Sequence, residues 1–307
     1  MPFNGFICEV TAEKVSPDAC TQCARQGALD GCPLTAPVVA GLVANLRPDD
    51  FGLTVTTLLG CPRKHRLKTT HPYWLKPREM WWAYRGQLMH GVAASYVTED
   101  PHALAEQRFS MMVPTPAGER MISGQPDLVY PDRQLVVDYK TTKRLPAPWK
   151  TYTCPETGLV IREGGYTVRT KMLACPHCAA GEHPPRDILE KGPPRPYGTH
   201  VLQLSLYRLL LEENGYAIEA GELVYQDMGG QVRLAVALLP RAEAWTLLQT
   251  RLALFTQEAL PPKLSQPDEV WECDYCAVAA VCEQRHLQEE GHLNGQTPEE
   301  ILTELGY

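Results

Sequence analysis

Asp138-Tyr-Lys140 and, eleven residues before it, Gly124-Gln-Pro-Asp127 are the residues of this chain best suited to chemistry. Leu135-Val-Val-Asp-Tyr-Lys140 reads as a strand, and side chains two apart on a strand share a face. Asp138 and Lys140 therefore point the same way, and Asp127, at or near the preceding strand, can meet them across the sheet. Two carboxylates hold a hard divalent cation through oxygen. Such a cation acidifies a bound water and stabilises charge on a phosphoryl oxygen. A lysine beside it orients the attacking water or neutralises developing negative charge. The kit suits phosphodiester hydrolysis, although D-x-K alone is a common pair of surface residues. His90, in Gly86-Gln-Leu-Met-His90, offers a nitrogen ligand from the helix before the sheet. Gln203 and Tyr207, four apart, share one face of a later helix and can reach a phosphate or a DNA end.

The cysteines carry a second chemistry. Eleven occur, and six form the C-x-x-C pairs Cys20/Cys23, Cys175/Cys178 and Cys273/Cys276. Such pairs read as metal or cluster ligands rather than disulfides. Cys61 with Cys273, Cys276 and Cys282 gives four thiolates, enough for zinc or a [4Fe–4S] cluster. Cys8, Cys20, Cys23 and Cys32 fill a structural zinc site, with a second iron–sulfur cluster as the rival reading. Cys154, Cys175 and Cys178 lie together in a later segment and need a fourth ligand for zinc. His183, five residues past Cys178, is preferred to His177, which lies inside the Cys-Pro-His-Cys pair.

The elements that must position these residues follow from periodicity and turn signals. Short helices are expected over 35–46 and from a Thr54 cap to near Cys61, and a long one over about 78–98. Strands are expected near 104–113, 119–123, 126–130 and 134–140. Residues 141–197 hold nine of the 27 prolines and five of the 23 glycines, a composition shift that marks an insertion. It leaves the strand just after Lys140 and returns just before Gln203, so it is expected to shape the DNA entrance or meet a partner. A helix over about 199–214, strands at 220–227 and 231–239 with a Gly229-Gly230 turn, and a helix over 241–259 complete the pattern. Thr297-Pro-Glu-Glu300 reads as a capping box opening a last short helix.

Charge is uneven. The net is −7, yet residues 61–90 carry seven basic side chains against one acidic, and residues 256–307 carry two basic against eleven acidic. A basic patch in an acidic chain suits a local polyanion site. Arg63, Lys64 and Arg66 are the candidate phosphate contacts. No apolar run reaches the ~20 residues of a membrane helix, and the N-terminus does not read as a secretory signal, so a cytoplasmic protein is expected.

The ordered set Gly86/His90, Pro126-Asp127, Asp138/Lys140 and Gln203/Tyr207 resembles the RecB-like nucleases of the PD-(D/E)xK superfamily. The resemblance covers about residues 54–282 without the insertion. It implies an α/β, restriction-endonuclease-like core with a central mixed sheet flanked by helices. It also implies Mg²⁺ or Mn²⁺ held by His90, Asp127 and Asp138, with Lys140 catalytic and Gln203 and Tyr207 assisting. Glu106 matches an acidic position often seen in the strand before. The one-plus-three cysteines are similar to those of the iron–sulfur subset, which includes exonuclease V, AddB and the small CRISPR adaptation nucleases. That likeness favours a [4Fe–4S] cluster acting as a clasp. The implied organisation is a Cys-rich zinc module at 1–50, a nuclease core at 51–145 and 198–282, the insertion at 146–197 and an acidic tail at 283–307. The expected activity is metal-dependent DNA cleavage at single strands or ends, in CRISPR adaptation, repair or recombination. A catalytically idle DNA-binding subunit and a redox sensor are the rival readings. No G-x-x-x-x-G-K-[ST] sequence occurs, so a separate helicase or a spacer integrase is the expected partner.

Overall fold

The computed structural model describes residues 3–27, 29–44, 52–97, 102–165, 168–264 and 270–289. The expected capping-box helix at Thr297 and most of the acidic tail lie outside them. In chain order the elements begin with β1 (Phe3–Ile7), β2 (Lys14–Val15), α1 (Pro17–Arg25), α2 (Ala36–Ala44), β3 (Leu53–Thr54), α3 (Val55–Leu59), α4 (Pro62–Thr70), β4 (Tyr73–Leu75) and α5 (Pro77–Val97). Next come β5 (Leu104–Ala105), β6 (Phe109–Thr115), β7 (Gly118–Gly124), β8 (Leu128–Tyr130) and β9 (Leu135–Thr141). The insertion supplies β10 (Pro148–Thr153), β11 (Val160–Gly164), β12 (Leu173–Ala174), β13 (Glu182–His183) and β14 (Leu189–Pro194). α6 (Gly198–Glu213), β15 (Ala220–Gln226), β16 (Gln231–Val236), α7 (Arg241–Thr256) and α8 (Ala279–Glu289) follow.

Two compact units form. The first comprises residues 1–96, 108–125 and 241–307, and the second residues 97–107 and 126–240. The second unit is built on a mixed five-stranded sheet of order β16-β15-β9-β8-β5. β15 runs parallel to β9, and the other neighbours are antiparallel. A parallel pair requires a crossover, and α6 is part of it. β9 sits between β15 and β8 and opens on Leu135-Val136-Val137, all buried, as an interior strand covered on both faces requires. α6 buries Leu204, Leu206, Leu209, Leu210 and Leu211. Gly221 of β15 permits a close approach to the helix. A Cβ there would stand 2.7 Å from Leu238 Cδ2 and 3.2 Å from Leu204 Cδ1.

The expected strand over 104–113 is two strands in different sheets: β5 pairs with β8, and β6 with β7. Between them Glu106 takes a left-handed conformation, φ 52°, which ends an extended run.

The first unit contains the antiparallel β6–β7 hairpin extended by β3, and the small sheet β2-β1-β4. Phe6, Val39 and Leu42 form a buried cluster that Cys20 also touches. The Thr54 hydroxyl accepts the Thr57 N–H at 3.0 Å and caps α3. Within the insertion, β11-β10-β14 form one antiparallel sheet and β12-β13 a separate hairpin.

Candidate active site and cysteine centres

The register of β8 and β9 builds the acidic site. Leu128 stands opposite Val137, so Asp127, one residue earlier, comes opposite Asp138. Their burial is nearly complete, at 8% and 2% exposed. Asp127 Oδ2 accepts the Tyr139 N–H at 2.6 Å, which fixes the carboxylate against β9. Asp127 also returns its carbonyl to the Glu106 N–H at 3.1 Å. The left-handed turn at Glu106 brings a Glu106 carboxylate oxygen within 4.8 Å of one on Asp127. A buried and a half-buried carboxylate this close are oxygen donors suited to Mg²⁺ or Mn²⁺, which prefer such ligands.

From Asp138 a chain of polar contacts runs to α6. Lys140 Nζ lies 2.6 Å from Asp138 Oδ2 and donates to Gln203 Oε1 at 2.8 Å. Gln203 Nε2 in turn donates to the Tyr207 hydroxyl at 2.8 Å. The i,i+2 spacing on β9 and the i,i+4 spacing on α6 produce this alignment. The ammonium is thus held by two oxygens from different elements. A preorganised cation of this kind stabilises negative charge without reorganising. His90 lies on α5, in the first unit.

His200 and Tyr225 are neighbours that the sequence reading missed. His200 Nδ1 lies 3.0 Å from the Tyr225 hydroxyl, which accepts the Tyr197 N–H at 2.9 Å. Burial, helped by the Lys140 charge, holds His200 down to about 3, so its imidazole is neutral near pH 7. Burial also pushes the Tyr225 phenol up to about 12. One signal pointed to His200: with Gln203 and Tyr207 it continues an i, i+3, i+7 stripe along α6.

Three groups of cysteines occupy distinct places. Cys61, Cys273, Cys276 and Cys282 all line one cavity of about 590 Å³. Cys61 is the N-cap of α4, and its sulfur accepts the Lys64 N–H at 3.4 Å. Burial raises the Cys61, Cys276 and Cys282 thiols above their ordinary values. A bound metal would offset that cost by stabilising the thiolates.

Cys8, Cys20, Cys23 and Cys32 line a smaller cavity of about 130 Å³. The Thr11 N–H and hydroxyl hold the Cys8 thiol below its usual value. In the insertion, Cys154, Cys175, Cys178 and His183 place one ligand atom each within 4.8 Å of the others.

The basic residues that follow Cys61 are placed differently from the expectation. Arg63 is fully buried and is not a phosphate contact. Its Nη1 donates to the Pro261 carbonyl at 2.9 Å and its Nη2 to the Cys282 carbonyl at 3.4 Å. Arg66 donates to the carbonyls of Gln257 and Glu258. Lys64 pairs loosely with Glu272 at 3.9 Å and keeps about a third of its side chain exposed.

Comparison with protein families finds one partial match. Residues 188–283 match the PD-(D/E)XK nuclease superfamily. The matched stretch holds Gln203, Tyr207, Cys273, Cys276 and Cys282. Asp127, Asp138 and Lys140 lie upstream of it, placed by the sheet register given above. The match covers about a third of the chain, and the likeness is to a superfamily of nucleases. One solved structure, the crystal structure of SSO0001, aligns with 19% identity and a TM-score of 0.49, over 80% of this chain and 93% of that one. A comparison with curated proteins finds no match. Among the described residues no helix is long and apolar enough to cross a membrane.

Proposed function

We propose that this chain is a divalent-metal-dependent DNA nuclease, most active on single strands or DNA ends, that serves CRISPR adaptation or DNA repair. The observation that carries the reading is the polar line Asp138–Lys140–Gln203–Tyr207 with Asp127 opposite Asp138. The carboxylates of Asp127, Asp138 and Glu106 supply the oxygen donors for Mg²⁺ or Mn²⁺. His90 is the nitrogen ligand that the family resemblance adds. The bound cation would supply an activated water and stabilise phosphoryl charge. Lys140 faces the developing negative charge, and Gln203 positions Lys140 from the opposite side.

Cys61, Cys273, Cys276 and Cys282 are proposed to hold a [4Fe–4S] cluster that clasps the start of α4 to α8 and the segment before it. That all four line one cavity supports a shared centre, and the likeness of the one-plus-three spacing to the iron–sulfur nucleases favours the cluster. Cys8, Cys20, Cys23 and Cys32 are proposed as a zinc site. Lys64 is the remaining clasp residue with a side chain available to a phosphate. A helicase or a spacer integrase is the proposed partner.

The test is cleavage of end-labelled single- and double-stranded DNA by anaerobically purified protein. Cutting with Mn²⁺ or Mg²⁺ that stops in EDTA and in Asp127→Asn supports the reading. Cluster-loaded wild type that binds DNA without cutting it under any metal would make the chain an idle binding subunit.

A further inference from the structure

The insertion holds a centre whose geometry identifies its occupant. Cys154 follows β10, whereas Cys175, Cys178 and His183 come from the β12–β13 hairpin. Cys178 Sγ lies 3.7 Å from Cys175 Sγ. His183 Nε2 lies 3.1 Å from Cys178 Sγ and 3.7 Å from Cys154 Sγ. A tetrahedral zinc ion with Zn–S of ~2.3 Å and Zn–N of ~2.0 Å sets its ligand atoms ~3.7 Å (S to S) and ~3.5 Å (S to N) apart. The observed spacings match that arrangement. They leave no room for the body of an iron–sulfur cube.

Burial and backbone agree. Cys154 is fully buried, and Cys175 and His183 are 4% and 7% exposed. The Cys175 N–H donates to the Gly181 carbonyl, and the Gly181 N–H to the Cys178 carbonyl, which curls the chain around the Cys175 and Cys178 sulfurs. Gly181 closes that turn at φ +71°, a conformation glycine adopts without strain. The Cys154 N–H likewise donates to the Leu159 carbonyl across a tight turn.

The segment also needs a staple. β12 and β13 are two residues each, and an isolated hairpin is marginal even when longer. The buried apolar side chains of the insertion, apart from its cysteines, are Pro146, Tyr152, Pro185 and Ile188 among the described residues. Segments with so little core rely on a metal or a disulfide.

We propose that Cys154, Cys175, Cys178 and His183 bind one structural zinc ion that folds the insertion by joining the β12–β13 hairpin to the end of β10. Three thiolates and one imidazole complete the tetrahedron, so the centre is closed and not catalytic. The proposal stands apart from the nuclease reading and holds whether or not the chain cuts DNA.

The test uses the full chain. Metal analysis of wild type against Cys178→Ser and His183→Ala should show the loss of one zinc per chain with iron unchanged, whereas His183→Cys should keep the zinc. Unfolding of the variants does not confound a second measurement on wild type alone. A zinc chelator is added under native conditions, and thiol alkylation is mapped by mass spectrometry. Cys154, Cys175 and Cys178 should become reactive together as zinc leaves. Free alkylation of these three thiols in zinc-loaded protein would overturn the proposal. So would release of iron rather than zinc as they become reactive, or unchanged zinc in soluble Cys178→Ser.

Discussion

Replacing Lys140 with methionine removes the ammonium while keeping much of the side-chain volume. In the native protein that ammonium lies 2.6 Å from Asp138 Oδ2 and 2.8 Å from Gln203 Oε1. Two consequences separate in size and in assay. The first is catalytic: loss of one preorganised charge-stabilising group costs on the order of 10²–10³ in rate. The second is structural. Asp138 keeps 3% of its side chain exposed and would lose its cationic partner. Removing one member of a buried ion pair costs about 3–5 kcal/mol. Lys140 itself is 18% exposed, so solvent reaches the gap and the lower end, about 3 kcal/mol, is expected. Lys140→Met should therefore unfold at lower urea in EDTA, and adding Asp138→Asn should recover most of that loss without recovering cleavage. Mg²⁺ should also narrow the stability gap, because a bound cation gives Asp138 a new partner. The assays are urea unfolding with and without Mg²⁺ and cleavage of end-labelled DNA. A variant that cleaves within tenfold of wild type would refute the catalytic assignment. An unchanged urea midpoint in EDTA would refute the ion-pair argument.

Further predictions follow from neighbouring contacts. Gln203→Leu removes one of the two oxygens on Lys140 and should lower cleavage by about tenfold, less than Lys140→Met, since one hydrogen bond is worth about 1–1.5 kcal/mol; equal losses in the two variants would assign Gln203 a direct role. His200 is held near 3 when folded against 6.5 when exposed, so the unfolded chain takes its proton first as pH falls. Its contribution to stability is complete above pH 6.5 and declines by up to about 1.4 kcal/mol per unit towards pH 3. Urea midpoints measured from pH 7 to 4 should fall more steeply in wild type than in His200→Gln, and parallel curves would contradict the assignment. At Gly5, φ is +149° and a Cβ would stand 2.2 Å from the Val15 carbonyl oxygen. Gly5→Ala should pry β1 from β2 at a cost of about 1–3 kcal/mol, seen as faster hydrogen exchange over residues 3–15 with α6 unchanged.

The polar line from Asp138 to Tyr207 was legible in sequence because its residues sit at the spacings that strands and helices convert into shared faces. Asp138/Lys140 and Gln203/Tyr207 needed only local geometry. The pairing of Asp127 with Asp138 needed only a short antiparallel register. Contacts made over long sequence separation left no such mark. Arg63 stands in a run of basic residues that resembles a surface patch, yet its guanidinium serves carbonyls at residues 261 and 282. Tyr225 lies on β15, and only the fold brings its hydroxyl to His200. The break at Glu106 was hidden for another reason: left-handed backbone at a non-glycine residue is rarely written in composition.

The pairing of Pro148 with Pro194 has a wider consequence. The insertion begins and ends on adjacent antiparallel strands, so its two roots stand about 5 Å apart. A turn of a few residues could bridge them in its absence, and the loop-closure entropy would change little with the length of what hangs there. The segment is therefore an exchangeable cassette. It can be deleted, lengthened or replaced by another folded piece while Lys140 and Gln203, on the far side of each root, keep their hydrogen bond. That makes this point a natural place for divergence among relatives, and a practical site at which to graft a reporter or a targeting domain.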